Sequence, residues 1–213
     1  MEFELLLGNA RWDIIKAVSQ GRASATELSK VTKSSLPNIS QQVRLLEAYD
    51  LVSYVKDQKV GQGKPRQIYG LKREICHLTF AREGFADKRF FNPDQYHTML
   101  LNVLFVPSMQ DHPYLHKYLL NEEILQTTAV AFLKSSEAEI EVLIITDRLD
   151  EIRAKYSNTF VEHNGKVRKV VAWTHSLHEL NDGLTRKESY FENLMKNPHI
   201  LHDPKRQFER VKR

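Results

Sequence analysis

The alternation of apolar and polar positions divides the chain into short elements. In "NARWDIIKAVSQG" Trp12, Ile15 and Val18 recur at helical spacing, with Asn9 placed to cap the helix and Gly21 to stop it. "SATEL" follows as a capping box, Ser24 with Glu27 three residues on, and opens a second helix through about Val31. In "SSLPNISQQVRLLEAYD" Ser35 caps a third helix and Pro37 fits its first turn, where an amide proton has no partner. Leu36, Ile39, Val43 and Leu46 form its inward stripe. Two strand-like runs close this region, 51–57 and 66–71, joined by the glycine-containing and basic "QKVGQGKP". Three helices and then a hairpin with a basic tip is the element order of a winged helix-turn-helix.

The pattern then changes. "GFADKRFFNP", residues 84–93, mixes a glycine, a basic pair and Asn-Pro, and reads as a boundary between a domain of residues 1–90 and one of 91–213. Helical runs at 93–106 and 111–124 lead into strands at about 126–134 and 139–146, then a helix at 148–157. "TFVEHNGKVRKVVAWT" places Asn164-Gly165, a strong hairpin signal, between two β-rich runs. A helix at about 177–196 and a basic tail, "DPKRQFERVKR", complete the chain. The fold class is α+β, with a small α/β layer as its second part.

Composition adds three constraints. The chain has 213 residues and a hydrophobic fraction of 41%, enough for genuine cores. Cys76 is the one cysteine, so no internal disulfide or thiolate pair exists and a reducing, cytoplasmic setting is expected. No apolar run approaches the roughly 18 residues of a membrane span, so no membrane partner is expected. The net charge of +4 is unevenly shared, because residues 1–90 hold 15 Lys/Arg against 10 Asp/Glu and residues 91–213 hold 16 against 17.

That excess sits where the third helix can use it. At about 100° per residue from Ile39, Pro37, Gln41 and Arg44 point most directly outward, with Asn38 and Ser40 on the flanks. Amides, a hydroxyl and an arginine are the groups that bond base edges and phosphates in a major groove. Residues 33–73 hold eight Lys/Arg and only Glu47, Asp50 and Asp57 as acids. The candidate DNA-binding set is therefore Ser35, Pro37, Asn38, Ser40, Gln41, Gln42 and Arg44 on the helix, with Lys59, Lys64 and Arg66 in the wing.

The stretch "LLLGNARWDIIKAVSQGRASATELSKVTKSSLPNISQQVRLLEAYDLVSYVKD" resembles the ArsR-type winged helix of prokaryotic transcription regulators, over roughly residues 3–72. The resemblance runs through the leucine-rich entry, "ATELSK", "NISQQVRLLE" and the "LV" that opens the wing. It implies a homodimer on double-stranded DNA with a palindromic operator. A winged helix can also serve as a protein-docking module, which is the alternative for this face.

The second half raises the question of an enzyme. "EAEIEVLIITD" puts Glu139 and Glu141 on one face of a strand, as a metal-dependent phosphoryl-transfer enzyme presents its magnesium ligands. Residues 112–204 resemble the minimal nucleotidyltransferase domain, "AEIEVLIITD" being similar to that family's "SDIDLLV" strand and "RKVVAWT" with the helix beyond it to its closing strand and helix. The similarity implies that Glu139 and Glu141 stand where the family's metal-binding aspartates stand. Three departures point to a degenerate fold. The phosphate-gripping Gly-Ser turn is replaced by the short "LKSSEAE", no glycine occurs between Gly84 and Gly165, and Arg168 or Lys169 takes the place of a third carboxylate. Catalytic residues, a metal site and a cofactor are accordingly not expected; the alternative is an active nucleotidyltransferase targeted by its winged helix. His112 and His116, four apart near Asp111, have a metal-ligand spacing, but with nine histidines in the chain surface or capping roles are the expectation, as for His175, His178, His199 and His202. The second domain is expected to dimerise, bind an effector or contact a partner.

Overall fold

Three helices open the chain in the computed structural model, which describes residues 8–21, 23–57, 65–120, 124 and 129–211: α1 (Asn9–Ser19), α2 (Ala25–Thr32) and α3 (Leu36–Ala48). Gly8, rather than Asn9, occupies the N-cap of α1. The buried stripe of α1 is Ile14, Ile15 and Val18. Including Ile14 rotates the inward face, so Trp12 lies about 110° from its centre and is exposed, against the sequence expectation. α2 starts where its capping box predicts. The Glu27 amide donates to Ser24 Oγ at 3.3 Å, and the Ser24 amide donates to Glu27 Oε2 at 2.7 Å. Lys33, at φ 53°, ends the helix in a left-handed turn, and the Ser34 amide closes back on the Ser29 carbonyl at 3.1 Å. Ile39, Val43 and Leu46 of α3 enter the core as expected, whereas Leu36, in the first turn, is exposed.

A three-stranded antiparallel sheet finishes this layer, in the order β1 (Ala23–Ser24), β3 (Arg66–Leu71), β2 (Val52–Asp57). Its register runs from Val52 opposite Leu71 to Asp57 opposite Arg66. Lys59 and Lys64 fall in the connection beyond that last pair, outside the described residues. The core joins helices and sheet through Ile14, Leu28, Ile39, Leu46, Leu51, Val52 and Tyr69.

Most of the stretch 84–93, expected as a boundary, is paired strand. Gly84, at φ 76°, forms the turn of a second hairpin, β4 (Cys76–Arg82) and β5 (Phe85–Phe91), paired from Cys76 opposite Phe91 to Arg82 opposite Phe85. Glycine takes this backbone at no steric cost, and the aromatics around it favour strand over linker. The chain divides into two compact units after Pro93.

The second unit is a five-stranded sheet covered on both faces. Among the described residues its helices include α4 (Gln95–Leu104), α5 (His112–Leu119), α6 (Leu149–Tyr156), α7 (Leu177–Thr185) and α8 (Ser189–Leu194). The strands run β10 (His199–His202), β6 (Ala129–Ser135), β7 (Glu139–Ile145), β9 (Lys166–His175), β8 (Asn158–His163), with β7 and β9 parallel and the other neighbours antiparallel. Residues 126–128 of the expected first strand lie outside the described residues. Alternate residues of β7 feed opposite cores. Ile140, Val142 and Ile144 pack with Met99, Leu115 and Ile152, while Leu143 and Ile145 pack with Leu180, Leu194 and Phe208. A strand buried on both faces needs apolar residues in succession, which accounts for the unbroken Val142–Ile145 run. The β8–β9 hairpin turns at Asn164 (φ 51°) and Gly165 (φ 72°), the pairing that Asn-Gly predicts.

Two expectations fail at the end of the chain. The helix expected over 177–196 is broken: Lys187 adopts φ 56°, its amide donates to the Leu184 carbonyl at 3.0 Å, and the Glu188 amide donates to the Gly183 carbonyl at 2.9 Å. This is a Schellman ending with lysine where glycine is preferred. It lets Phe191 of α8 fold back onto Gly183, where a Cβ would lie 2.0 Å from the ring. The "basic tail" is likewise built into the core, because the Asp203 carboxylate accepts from the amides of Gln207 and Phe208 and the Phe208 ring is buried. Among the described residues no helix is long and apolar enough to cross a membrane.

Candidate nucleic-acid interface and the acidic strand

On α3 the predicted residues separate into two groups. Ser35 Oγ accepts from the Asn38 amide at 3.4 Å, Asn38 Nδ2 donates to Ser34 Oγ at 2.6 Å, and Gln42 Nε2 donates to Asn38 Oδ1 at 3.3 Å. Ser35, Asn38 and Gln42 are thus engaged in starting the helix and lining its side. Pro37, Ser40, Gln41 and Arg44 are exposed, and the polar three enter no hydrogen bond or ion pair among the described residues. Pro37, Gln41 and Arg44 stand at i, i+4 and i+7, one row along the helix.

The charge near this row favours an anion. Lys30, in the last turn of α2, and Lys33, in the turn that leads into α3, are exposed; Lys33 enters the sequence expectation only through the charge count of residues 33–73, and neither is in the candidate set, which follows the helix and the wing. Each nearby acid lies against a cation. Asp50 is ion-paired with Lys72, whose hydrogen bond holds the Asp50 carboxyl below its ordinary range. Asp57 stands across the ladder from exposed Arg66. Burial pushes the Glu47 carboxyl up, and Arg44 pulls it the other way. The exposed surface also carries Leu36 and Leu45 on either side of the polar row.

Strand β7 presents a different arrangement. Glu139 and Glu141 are both on the sheet face opposite Ile140 and Val142, but each has its own lysine. Lys169 Nζ lies 3.3 Å from Glu139 Oε1, and Lys134 Nζ lies 3.1 Å from Glu141 Oε1. The second oxygen of Glu141 accepts from Trp173 Nε1 at 2.9 Å. The turn between β6 and β7 has no spare donors for phosphate at its ends. The Ser136 amide donates to the Glu139 carbonyl at 2.8 Å, and the Glu139 amide donates to Ser136 Oγ at 3.1 Å.

Both cations named for the third-carboxylate position are accounted for. Lys169 pairs in register with Glu139, as above. Arg168 is buried on the other face, ion-paired with buried Asp111 and donating to the Ser136 carbonyl. Ser135 Oγ donates to the second Asp111 oxygen at 2.6 Å, and the guanidinium lies 5.2 Å from the Tyr114 ring centre. This cluster forms the wall of an open depression of about 1000 Å³ that also takes in His163 and Lys166. The arrangement clamps the α5 entry, the β6–β7 turn and the start of β9 to one another.

The histidines are placed individually. His112 Nε2 meets the Val106 carbonyl at 2.9 Å, His199 Nε2 the Asn102 carbonyl at 2.8 Å, and His178 Nδ1 the Asp182 carboxylate at 3.1 Å. His175 sits between Glu179, 3.2 Å from Nδ1, and the Tyr190 hydroxyl, 2.9 Å from Nε2. Burial holds the His175 pKa below 6.5 although Glu179 favours the charged ring. Among the described residues no group of three or more His, Cys, Asp and Glu side chains could hold a metal ion. Comparison with known proteins gave no matching family model and no match among curated proteins.

Proposed function

We propose that this protein is a sequence-specific DNA-binding transcription regulator acting as a dimer, with its first unit a winged helix-turn-helix and α3 its recognition helix. The observation that carries the reading is the exposed row Pro37, Gln41 and Arg44 with Ser40 beside it, in a region where each acid lies against a cation. A helix of this width fits the major groove. Gln41 has the donor and acceptor needed for adenine, and Arg44 the fork that matches guanine or a phosphate. Arg66, at the loop end of the described β2–β3 ladder, would add a backbone contact, together with Lys59 and Lys64 of the connection. The second unit is read as a nucleotidyltransferase-like layer without the donor turn and carboxylate set of an enzyme, in a protein of the cytoplasm. The lysine held by each of Glu139 and Glu141 supports that reading over transfer chemistry.

Enrichment from a pool of random duplexes tests the proposal. The expected product is a palindrome whose half-sites lie about one helical turn apart, with affinity falling as salt rises. Enrichment of no sequence at any salt concentration would contradict it. Exposed Leu36 and Leu45 favour a second reading, in which α3 docks a protein through an apolar groove; absence of DNA binding together with α3-dependent capture of a defined protein would select it.

A further inference from the structure

The β4–β5 hairpin leaves most of its own surface uncovered. Cys76 at its base is buried, yet every residue from Leu78 to Phe90 is exposed. Leu78 is 44% exposed, Phe80 58% and Phe85 48%. The register sets these side chains on one face, through the cross-strand pairs Leu78 with Arg89, Phe80 with Asp87 and Arg82 with Phe85. The Phe80 and Phe85 ring centres are 6.1 Å apart, and the Arg82 guanidinium lies 5.9 Å from the Phe85 ring centre. Among the described residues the two strands form a sheet of their own. A two-stranded ribbon is marginally stable in water without a third strand or a packed face. A contiguous apolar ridge with a charged margin is the character of an interaction surface.

The charges on that face indicate what covers it. Asp87 lies between the positions of Arg82 and Arg89 around the ridge and 3.4 Å from Arg89 Nε in an exposed ion pair of its own strand, so both signs occur on one small surface and exchange of that pair between copies is open to solvent. A strongly acidic or basic partner would oppose one sign and be repelled by the other. A two-fold axis through the ridge instead brings Asp87 of each copy toward an arginine of the other and stacks the two aromatic ridges, a self-complementary contact.

We propose that this hairpin face is the dimerisation surface for a second copy of the chain. The inference rests on the reading of the protein as a dimer and names the surface that makes it one. Sedimentation of the full-length chain without DNA keeps the two questions separate. The expected result is a dimer whose Kd rises at least ~30-fold in Phe80→Glu and in Phe85→Glu, the loss expected when a central aromatic anchor is replaced. Reversing the margin supplies a test that does not depend on the aromatic variants folding. Asp87→Arg alone and Arg82→Asp with Arg89→Asp should each self-associate weakly, and the two mixed should form a one-to-one heterodimer. A dimer of unchanged Kd in folded Phe80→Glu and Phe85→Glu, or charge-reversed variants that do not pair when mixed, would overturn the surface and leave DNA binding to its own assay. A wild-type chain that stays monomeric would overturn the surface and the dimer together.

Discussion

Helix α3 and strand β7 each carry polar side chains at positions that invite a chemical role, and they differ in what those side chains do within the fold. On α3 the outermost groups, Ser40, Gln41 and Arg44, enter no hydrogen bond or ion pair among the described residues, and only Arg44 has a charged neighbour, Glu47. On β7 both carboxylates are taken, Glu139 by Lys169 and Glu141 by Lys134 and Trp173. An exposed polar group with no internal partner can exchange water for a ligand at little cost, whereas a paired one must first give up its partner. Residue type alone makes the two sites look alike, and the distinction lies in the hydrogen-bond accounts.

Substitutions can sharpen or break that contrast. The largest effect is expected where polar groups of the second unit are structural. Asp111→Ala leaves the Arg168 guanidinium buried without its carboxylate, which costs about 3–5 kcal/mol, and Asp111→Leu with Arg168→Met should recover most of the loss. Urea unfolding followed by a probe in the second unit measures both. A loss below about 1 kcal/mol would remove the clamp from the account. In the first unit Ser24→Ala, which deletes the α2 cap, should cost about 1 kcal/mol in urea unfolding followed by a probe in that unit, with the transition of the second unit unaffected.

A pH series comes next. The folded state holds the His175 pKa below 6.5, so the unfolded chain takes up more protons as pH falls below that value. Stability should therefore decline as pH drops through 6.5 and stop declining, for this group, below its folded pKa. His175→Gln should flatten that segment of the curve, and an unaltered slope would show that His175 does not contribute. The smallest effect is expected for Glu139→Gln. Its ion pair with Lys169 is half exposed, and such pairs contribute about 0–1 kcal/mol. A labelled nucleoside triphosphate transferred by the wild type and not by this variant would reverse the contrast between helix and strand.

Much of the first unit was legible because its signals are local. The Ser24–Glu27 box, Pro37 in the first turn of α3 and the spacing of Ile39, Val43 and Leu46 each specify structure within one helix. Errors arose where a neighbouring residue or a distant partner decides. Trp12 and Leu36 look inward by spacing, but Ile14 turns the face of α1 and the core does not reach the first turn of α3. Residues 85–91 resemble a linker by composition, and only pairing with 76–82 makes them a strand. Lys187 gives no sequence warning of a left-handed helix end; that ending depends on Phe191 returning to Gly183. The same limit applied to the acidic strand. Lys169 and Lys134 come from flanking strands, so whether the carboxylates were available could be settled only by the sheet register.

The central claim is that α3 reads DNA through Gln41 and Arg44. The most direct measurement is the affinity of wild type, Gln41→Ala and Arg44→Ala for an enriched duplex and for a scrambled duplex at one fixed salt concentration. The account predicts that each substitution weakens specific binding by about 1–3 kcal/mol, with a smaller change on scrambled DNA for Gln41→Ala. Equal affinity and an identical footprint for all three proteins would contradict it.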